Sequence, residues 1–350
     1  MKIKNSLNDD RKNENLFALE SRRYIGNKAK LTNWIEDIIK KEIKDCNSFL
    51  DLFAGTGIVS KSAFKYFDNI LINDLLDSNK IVYEAFFKPG KWNKKKLENV
   101  VEEWNKMDVE KLKENYFSKN FGNKFFELKT ARAVGEIREQ LEISKNNYTK
   151  KELFILLASM LYSIDRVANT VGHFDAYIKK PIKNKKIIFK LINTFDIKGV
   201  KIYQEDANSL IKKVKADVVY IDPPYNSRQY SRFYHIYENL VNWKKPKLYG
   251  VAMKPTAENM SVYCTVKAKD SFENLIQNIS AKYIIVSYNN TYGSKSSSSE
   301  NKIKLEEIIE ILNAKGKTMT FENSYKFFNT GKTDFNNHKE IIFLTKINGK

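Results

Sequence analysis

A strand, a glycine turn and a helix follow one another directly near the start of this chain, and their order constrains the fold more than any other feature. SFLDLF at 48–53 is a short apolar run typical of a buried strand, and AGTG follows it. Apolar residues then recur at helical spacing from Ile58 to Phe67, and a second strand-like run, NILIND at 69–74, ends on an acid. These segments predict the βαβ opening of an α/β sheet.

The second half of the sequence returns to this pattern after a long helical region, 80–170, which carries many charges. A helix is also predicted for 31–43, and further strands are predicted for 200–206, 216–222, 282–288 and 340–346. The simplest architecture is a Rossmann-like, parallel-rich sheet built from both ends of the sequence and interrupted by a mostly helical insertion. We place the sheet in residues 1–80 and 196–350 and the insertion in residues 81–195.

The charge balance of the chain is strongly basic. Its 350 residues include 61 Lys and Arg against 42 Asp and Glu, a formal net charge of +19, and the basic residues are spread over the whole length. This favours a polyanionic partner, because phosphate neutralisation is the sequence-independent part of nucleic-acid affinity. A Lys- and Asn-rich composition without binding meaning is the alternative.

The cysteines and the hydropathy pattern exclude several other classes. Cys46 and Cys264 are far apart and in no paired spacing, which argues against a disulfide framework and against a zinc site, so we expect no metal. The N-terminus has no apolar signal segment, and no apolar run of membrane-spanning length occurs. We therefore expect a cytoplasmic protein that does not enter a membrane.

The glycine turn is a candidate ligand site. Gly55 and Gly57 stand where a strand must turn sharply into a helix and where a ligand can approach the backbone. Asp74 ends the next strand, where a carboxylate can accept hydrogen bonds from both hydroxyls of a ribose. A tight turn without a ligand is the alternative, because many folds use glycine there.

Common nucleotide motifs are incomplete in this chain. Ser60 occupies the position of the third glycine in the dinucleotide fingerprint. Two Gly-Lys-Thr sequences, at 316–318 and 331–333, lack the earlier glycine of a P-loop. NAD and ATP are therefore disfavoured, and a nucleoside with a small charged tail and no pyrophosphate, such as S-adenosylmethionine, fits better.

Several motifs together resemble one enzyme family. In order, they are YIGNKAKL (24–31), DLFAGTG (51–57), Asp74, QED (204–206) and DPPY (222–225). This order resembles that of the alpha-type adenine-N6 DNA methyltransferases, which include Dam-like enzymes. The longer strings NTVGHFDAYIK (169–179) and DPPYNSRQYSRFYH (222–235) resemble a branch of type II modification methylases. The resemblance implies an S-adenosylmethionine-dependent methyltransferase sheet with an inserted helical target-recognition domain.

The resemblance also implies which residues form the cofactor site. They are Tyr24 and Lys28 from the N-terminal segment, Asp51, Phe53, Gly55 and Gly57 around the methionine end, Asp74 at the ribose, Asp206 at the adenine of the cofactor, and Asp222. Asn27 departs from the small residue common in the first motif. For Lys28, an ordinary surface lysine is the alternative.

DPPY, residues 222–225, is suited to methylating an amino group. The exocyclic nitrogen of adenine is a poor nucleophile because its lone pair is delocalised into the ring. If the Asp222 carboxylate and the Pro223 carbonyl accept its two hydrogens, the lone pair can point at the methyl donor, and the restricted φ of Pro223 and Pro224 keeps that carbonyl aimed. Tyr225 is predicted to stack on the base after it flips out of the duplex.

Other base methylations fit less well. The acid at the first motif position, Asp222, favours adenine over cytosine-N4 enzymes, whose motif more often begins with Ser. Cytosine-C5 methylation needs a cysteine nucleophile, usually after proline, whereas Asp45 precedes Cys46 and Tyr263 precedes Cys264.

Two basic segments are candidate DNA contacts. The loop after DPPY alternates cations, an amide and a ring, which suits phosphate tracking and filling the gap left by a flipped base. A basic run continues from 179 to 186. The candidates are Arg228, Gln229, Tyr230 and Arg232 in the loop and Lys179 and Lys180 in the run. Solvated surface is the alternative for both, and we expect sequence recognition to lie in 81–195.

The sequence therefore predicts a site-specific adenine-N6 methyltransferase of duplex DNA, serving a restriction-modification system with a separately acting endonuclease. Methylation of adenine in structured RNA is one alternative, against which the insertion and YIGNK argue. A basic DNA-binding protein without catalysis is the other, against which the intact Asp222, Pro223 and Tyr225 argue.

Overall fold

A seven-stranded sheet forms the centre of the computed structural model, which describes residues 15–182, 186–291, 300–324 and 339–348. Its strands are β1 (Ser48–Asp51), β2 (Asn69–Asn73), β3 (Val200–Tyr203), β4 (Val218–Ile221), β5 (Tyr283–Asn289), β6 (Gly316–Ser324) and β7 (Lys339–Ile347). They lie in the order β3-β2-β1-β4-β5-β7-β6. The α/β, Rossmann-like class predicted from the sequence is confirmed.

The strand directions divide the sheet into a parallel part and an antiparallel edge. β1 pairs in parallel with β2 and β4, and β3 and β5 extend the parallel part on either side. β7 runs antiparallel between β5 and β6. β6 was not predicted, because this edge strand carries exposed polar residues such as Lys317 and Glu322 instead of an apolar run.

Helices cover the sheet and fill the region between β2 and β3. In the described residues they are α1 (Thr32–Glu42), α2 (Ile58–Ala63), α3 (Asp77–Phe86), α4 (Lys94–Lys106), α5 (Tyr116–Phe121), α6 (Leu128–Ile143), α7 (Lys150–Val167), α8 (Ala207–Leu210), α9 (Tyr230–Phe233), α10 (His235–Asn242), α11 (Ala268–Asn278) and α12 (Leu305–Asn313). α3 to α7 form the helical region predicted from periodicity. None of the helices in the described ranges is long and apolar enough to cross a membrane.

Successive strand residues belong to two separate hydrophobic clusters, because side chains alternate between the faces of a sheet. Phe49 of β1 belongs to a cluster that continues into α3 and α7 through Phe86 and Tyr162. Leu50, the next residue, belongs to the other cluster, with Phe272 of α11. The helices between β2 and β3 therefore share one continuous core with a face of the sheet, and the domain division at 80 and 195 stays a prediction.

Asp217 ties the beginnings of three strands together. Its Oδ2 accepts hydrogen bonds from the Asn47 N–H (2.9 Å), the Ser48 N–H (3.0 Å) and the Ser48 hydroxyl (2.9 Å). Its Oδ1 lies 3.1 Å from Lys282 Nζ, next to β5. Burial alone would raise the pKa of Asp217, but these partners outweigh it and lower the pKa to about 2.

We expect Asp217→Asn to lower the free energy of unfolding at pH 7 by about 1–3 kcal/mol, because it weakens hydrogen bonds to a charged acceptor. Since the folded-state pKa is below the ordinary value of about 3.9, this stabilisation is complete above about pH 4 and is lost as the pH falls towards 2. Urea unfolding at pH 7 and pH 3 measures the difference from the wild type. The exposed Asp37→Asn is the matched control, and an equal loss at both pH values would contradict the assignment.

Candidate active site

A cavity lies at the carboxyl ends of β1, β2, β3 and β4, with about 910 Å³ of empty space including its opening to solvent. Parallel α/β sheets bind ligands at this edge. The predicted site residues that line it are Tyr24, Lys28, Asp51, Phe53, Gly55, Asp74, Asp206, Asp222, Pro224, Gln229 and Tyr230. The other predicted site residues do not line it: Gly57, Pro223, Tyr225, Arg228, Arg232, Lys179 and Lys180. The fold thus brings together residues from all five sequence motifs.

The glycine turn after β1 needs both of its glycines. Gly55 and Gly57 have φ values of +53° and +76°, which side-chain-bearing residues rarely adopt. A Cβ on Gly55 would lie 3.3 Å from the Tyr24 ring, and one on Gly57 would lie 3.1 Å from the Tyr83 ring. Gly55 therefore shapes the cavity wall beside Tyr24, whereas Gly57 lets α2 begin against the core.

Arg22, which the sequence analysis missed, fixes this wall from behind. Its Nη2 donates to Asn79 Oδ1 at 2.7 Å and to the Gly55 carbonyl at 3.4 Å. Asn79 Nδ2 in turn donates to the Tyr24 hydroxyl at 3.1 Å, and the Tyr24 ring stacks on Tyr234 at 4.4 Å. The position of Arg22 two residues before Tyr24 was the only signal in the sequence.

Two carboxylates, the buried Asp51 and the partly buried Asp74, give the cavity an acidic wall. Asp51 is 1% exposed and accepts from the Ser60 hydroxyl at 2.6 Å through Oδ2, whereas its Oδ1 has no hydrogen-bond partner among the described residues. Burial raises the pKa of Asp51 to about 7. Asp74 accepts from the Gly55 and Leu76 N–H groups, both at 2.9 Å. An unpartnered buried carboxylate oxygen suits a ligand with a cationic group, as S-adenosylmethionine has.

The remaining predicted cofactor residues lie on other parts of the wall. Asp206 is exposed at the N-cap of α8, where its Oδ1 accepts from the Ser209 N–H at 3.0 Å. The Phe53 ring meets Tyr263 edge-on at 5.1 Å. Together they border the cavity with one acid and an apolar surface.

The first residue of the DPPY motif, Asp222, contacts Lys28 and Tyr225 through one of its carboxylate oxygens. Asp222 is 16% exposed, and its Oδ1 lies 3.4 Å from Lys28 Nζ. The Tyr225 hydroxyl donates to the same oxygen and accepts from Lys28 Nζ at 2.7 Å. Lys28 Nζ also lies 3.2 Å from Glu340 Oε2, at the beginning of β7. The structure thus places Lys28 directly beside the predicted catalytic acid, in addition to its place on the cavity wall.

The charges of this cluster influence one another. Burial raises the pKa of Asp222 to about 6, although the Lys28 ammonium opposes this. Burial would lower the pKa of Lys28, but Asp222 and Glu340 outweigh it and raise the pKa. Lys28 is therefore a buried cation held by two acids.

The loop after DPPY contributes both to the cavity and to the surface beside it. Gln229 exchanges two hydrogen bonds with the main chain of Ser261, at 2.8 and 2.7 Å, and the Tyr230 ring stacks on Tyr24 at 5.5 Å. Both side chains line the cavity. Arg228 and Arg232 are partly exposed, and Arg232 Nη1 donates to the Pro255 carbonyl at 2.6 Å.

The segment around 169–178 packs on this loop. The Phe174 N–H donates to the Phe233 carbonyl at 2.7 Å, and the His173 ring stacks on Phe233 at 4.5 Å. Lys179 and Lys180 follow as exposed side chains. Lys183 and Lys185 of the predicted basic run lie outside the described residues.

No group of three or more His, Cys, Asp or Glu side chains that could hold a metal ion occurs in the part of the chain that the structure describes.

Comparison with known proteins gives a family match over most of the chain. Residues 24–311 match the family model described as "D12 class N6 adenine-specific DNA methyltransferase". The chain is 33% identical over 322 residues to the type II methyltransferase M.FokI of Planomicrobium okeanokoites, covering 85% of this chain and 48% of that protein. It is 30% identical over 339 residues to the type II methyltransferase M.NlaIII of Neisseria lactamica, covering 90% of this chain and 95% of that protein.

The share of the relative's length that this chain covers differs among the relatives. The chain spans about half of M.FokI and 55% of the modification methylase LlaI of Lactococcus lactis, but nearly all of M.NlaIII.

Proposed function

Since the chain belongs to the D12 class of N6 adenine-specific DNA methyltransferases, we propose that it transfers a methyl group from S-adenosylmethionine to the N6 amino group of adenine in duplex DNA. We propose further that it methylates a specific site, as the modification enzyme of a restriction-modification system whose endonuclease acts separately. The observation that carries this proposal is that Asp222 of DPPY lines the same cavity as the glycine turn and Asp74.

The cofactor is proposed to lie across the acidic wall. When bound, S-adenosylmethionine supplies a methyl group activated by its sulfonium charge. Asp51 Oδ1, which has no partner among the described residues, would accept from its ammonium group. Phe53 would lie along the methionine end, Asp74 would accept from the ribose hydroxyls, and Asp206 would border the adenine.

Asp222 and Pro223 would hold the target amino group. Oδ1 of Asp222 is engaged by Tyr225 and Lys28, which leaves Oδ2 for one amino hydrogen, and the Pro223 carbonyl accepts the other. The lone pair of N6 is then directed away from both acceptors and towards the methyl group. The N6–methyl bond would form as the sulfur–methyl bond breaks and a neutral thioether leaves. N6 would then carry the positive charge, and its acidic proton would pass to water without a strong base.

Tyr225 is fixed beside Asp222, the acid proposed to hold the target amino group. Its ring packs edge-on against Tyr288 at 4.6 Å, and its hydroxyl donates to Asp222. We propose that this ring stacks on the adenine after base flipping, because aromatic stacking compensates for the stacking lost in the duplex.

Contacts to the DNA backbone are proposed for the cations around α9. Arg228 lies just before α9 and Arg232 within it, and Lys179 and Lys180 follow the segment that packs on this helix. The net charge of +19 supports phosphate contacts at this face. We propose that Gln229 and Tyr230 contact the flipped base region from the cavity wall, and that residues 81–195 recognise the target sequence.

The purified protein should transfer a tritiated methyl group from S-adenosylmethionine to duplex DNA, giving N6-methyladenine. Asp222→Ala should lower the turnover number by about 100- to 1,000-fold because one fixed acceptor is lost, while duplex binding in a mobility-shift assay remains. The exposed Asp37→Ala is the control.

If the tritiated methyl group is transferred to ribosomal RNA and not to duplex DNA, the proposal is wrong and the substrate is RNA. Wild-type protein that binds DNA but never consumes the cofactor would show a binding protein instead. Sequencing of modified bases in DNA from cells that express the chain would identify the target site.

Cofactor binding should weaken as the pH falls through 7. Burial raises the pKa of Asp51 to about 7 in the free protein, and a bound cation favours the carboxylate, so binding releases a proton. Between pH 7.5 and 6, the Kd of S-adenosylmethionine should therefore rise roughly ten-fold. Calorimetric titration without DNA measures this.

Asp51→Asn is the matched variant, because it keeps the shape of the side chain and removes its titration. It should bind S-adenosylmethionine more weakly, with a flatter pH dependence. The same pH slope in Asp51→Asn as in the wild type would show that another group is responsible.

A further inference from the structure

Lys28 lies between the partly buried Asp222 and the buried Glu340, and only Asp222 belongs to the DPPY motif. Its Nζ is 3.4 Å from Asp222 Oδ1 and 3.2 Å from Glu340 Oε2. The side chains of Lys28 and Glu340 are 4% and 6% exposed, so water screens this contact little. Among the described residues, one cation and two anions leave these three side chains with one net negative charge.

Glu340 reaches the cluster from the opposite end of the sequence. It is the second residue of β7, where it pairs with Asn289 of β5 and Asn323 of β6. It lies outside residues 24–311, which match the family model. β7 runs antiparallel in an otherwise parallel neighbourhood, which brings its N-terminal end to the edge where β4 delivers Asp222.

Stability alone does not require a second acid here. A buried ion pair of Lys28 and Asp222 would already be neutral, and burying a further carboxylate costs desolvation free energy. Lys28 also has the Tyr225 hydroxyl as a partner at 2.7 Å. An unneeded buried charge beside a reacting group points to a role in the reaction.

The charge that develops during methyl transfer explains what Glu340 could do in the reaction. A positive charge moves from the sulfonium to N6, which is proposed to be hydrogen-bonded to Asp222. The Lys28 ammonium, on the same carboxylate, would repel this charge unless another anion offsets it. Glu340 is the acid in position to do so.

We propose that Glu340 is a positioning residue for methyl transfer: it holds Lys28 and offsets its charge, so that Asp222 presents net negative charge to N6. This inference rests on the proposed function. Glu340 does not touch the substrate in this arrangement and acts through Lys28.

Glu340→Gln tests the proposal because it removes the charge and keeps the size of the side chain. We expect its turnover number to fall by about 10- to 100-fold, while the KM for duplex DNA and the Kd of S-adenosylmethionine stay within about two-fold. Fluorescence of 2-aminopurine at the target position, once that site is known, should show unchanged base flipping. Glu340→Asp keeps the charge and should recover activity to within about five-fold of the wild type.

Glu322→Gln is the control on the neighbouring strand β6, where Glu322 forms an exposed pair with Lys339 at 2.6 Å. It should leave the turnover number unchanged. Thermal unfolding of each variant shows whether it is folded.

The outcomes separate this inference from the proposed function. Wild-type protein without methyltransferase activity would overturn the proposed function and, with it, this inference. An active wild type with an equally active Glu340→Gln would overturn only the inference. Equal loss of turnover, cofactor binding and thermal stability in Glu340→Gln and Glu340→Asp would also overturn it, because it would show a purely structural residue.

Discussion

The buried ammonium of Lys28 is the contact on which the arrangement of the site depends. It joins a loop before α1, the end of β4 and the beginning of β7, so residues separated by more than three hundred positions meet at one atom. A buried lysine is stable only if acids surround it, and these acids can do so only when the sheet is complete. Formation of the part of the cavity beside Asp222 is therefore coupled to closure of the sheet by β7.

The cavity concentrates carboxylates that are costly to bury. Burial raises the pKa values of Asp51, Asp74 and Asp222, and at Asp51 one oxygen has no partner within the described residues. The folded chain therefore holds this wall at some cost in stability, which a cationic ligand would offset. The same negative charge lies where a methyl transfer would place positive charge. These carboxylates would therefore both strengthen cofactor binding and increase the rate of methyl transfer.

Much of the sheet could be predicted from the sequence, because its central strands are apolar on both faces. β4, for example, is buried at every position, and the alternation of Phe49 and Leu50 between two clusters follows from the pleat. β6 could not be predicted in the same way, since an edge strand with exposed polar residues has no distinctive apolar pattern. Strand order depends on long-range pairing, which local periodicity does not contain.

The sequence predicted the residues that line the candidate site but not the residues that hold them in place. Motifs located the cavity residues, because a glycine turn, an acid after the next strand and DPPY each have a local signature. The partners that hold them have none: Arg22 is one basic residue among many, and Glu340 is a lone acid at the start of a strand. Their roles arise only where distant segments converge. Sequence motifs therefore identify the residues that line a ligand site. The residues that support them are found only from the contacts in the structure.

The packing of the helical region has a consequence for how recognition and catalysis are connected. α3 and α7 share a core with the sheet, and α10 packs on both through residues such as Tyr237, whose hydroxyl donates to Asp165 of α7 at 2.8 Å. Glu238 of the same helix accepts from the N–H groups of Asp77 and Ser78 at the start of α3. Since α10 directly follows the loop that forms part of the cavity wall, a displacement of α3 or α7 by bound DNA would be transmitted to that wall through rigid, buried contacts. Target recognition in this region would therefore act on the geometry of the site itself, without a flexible linker between the two.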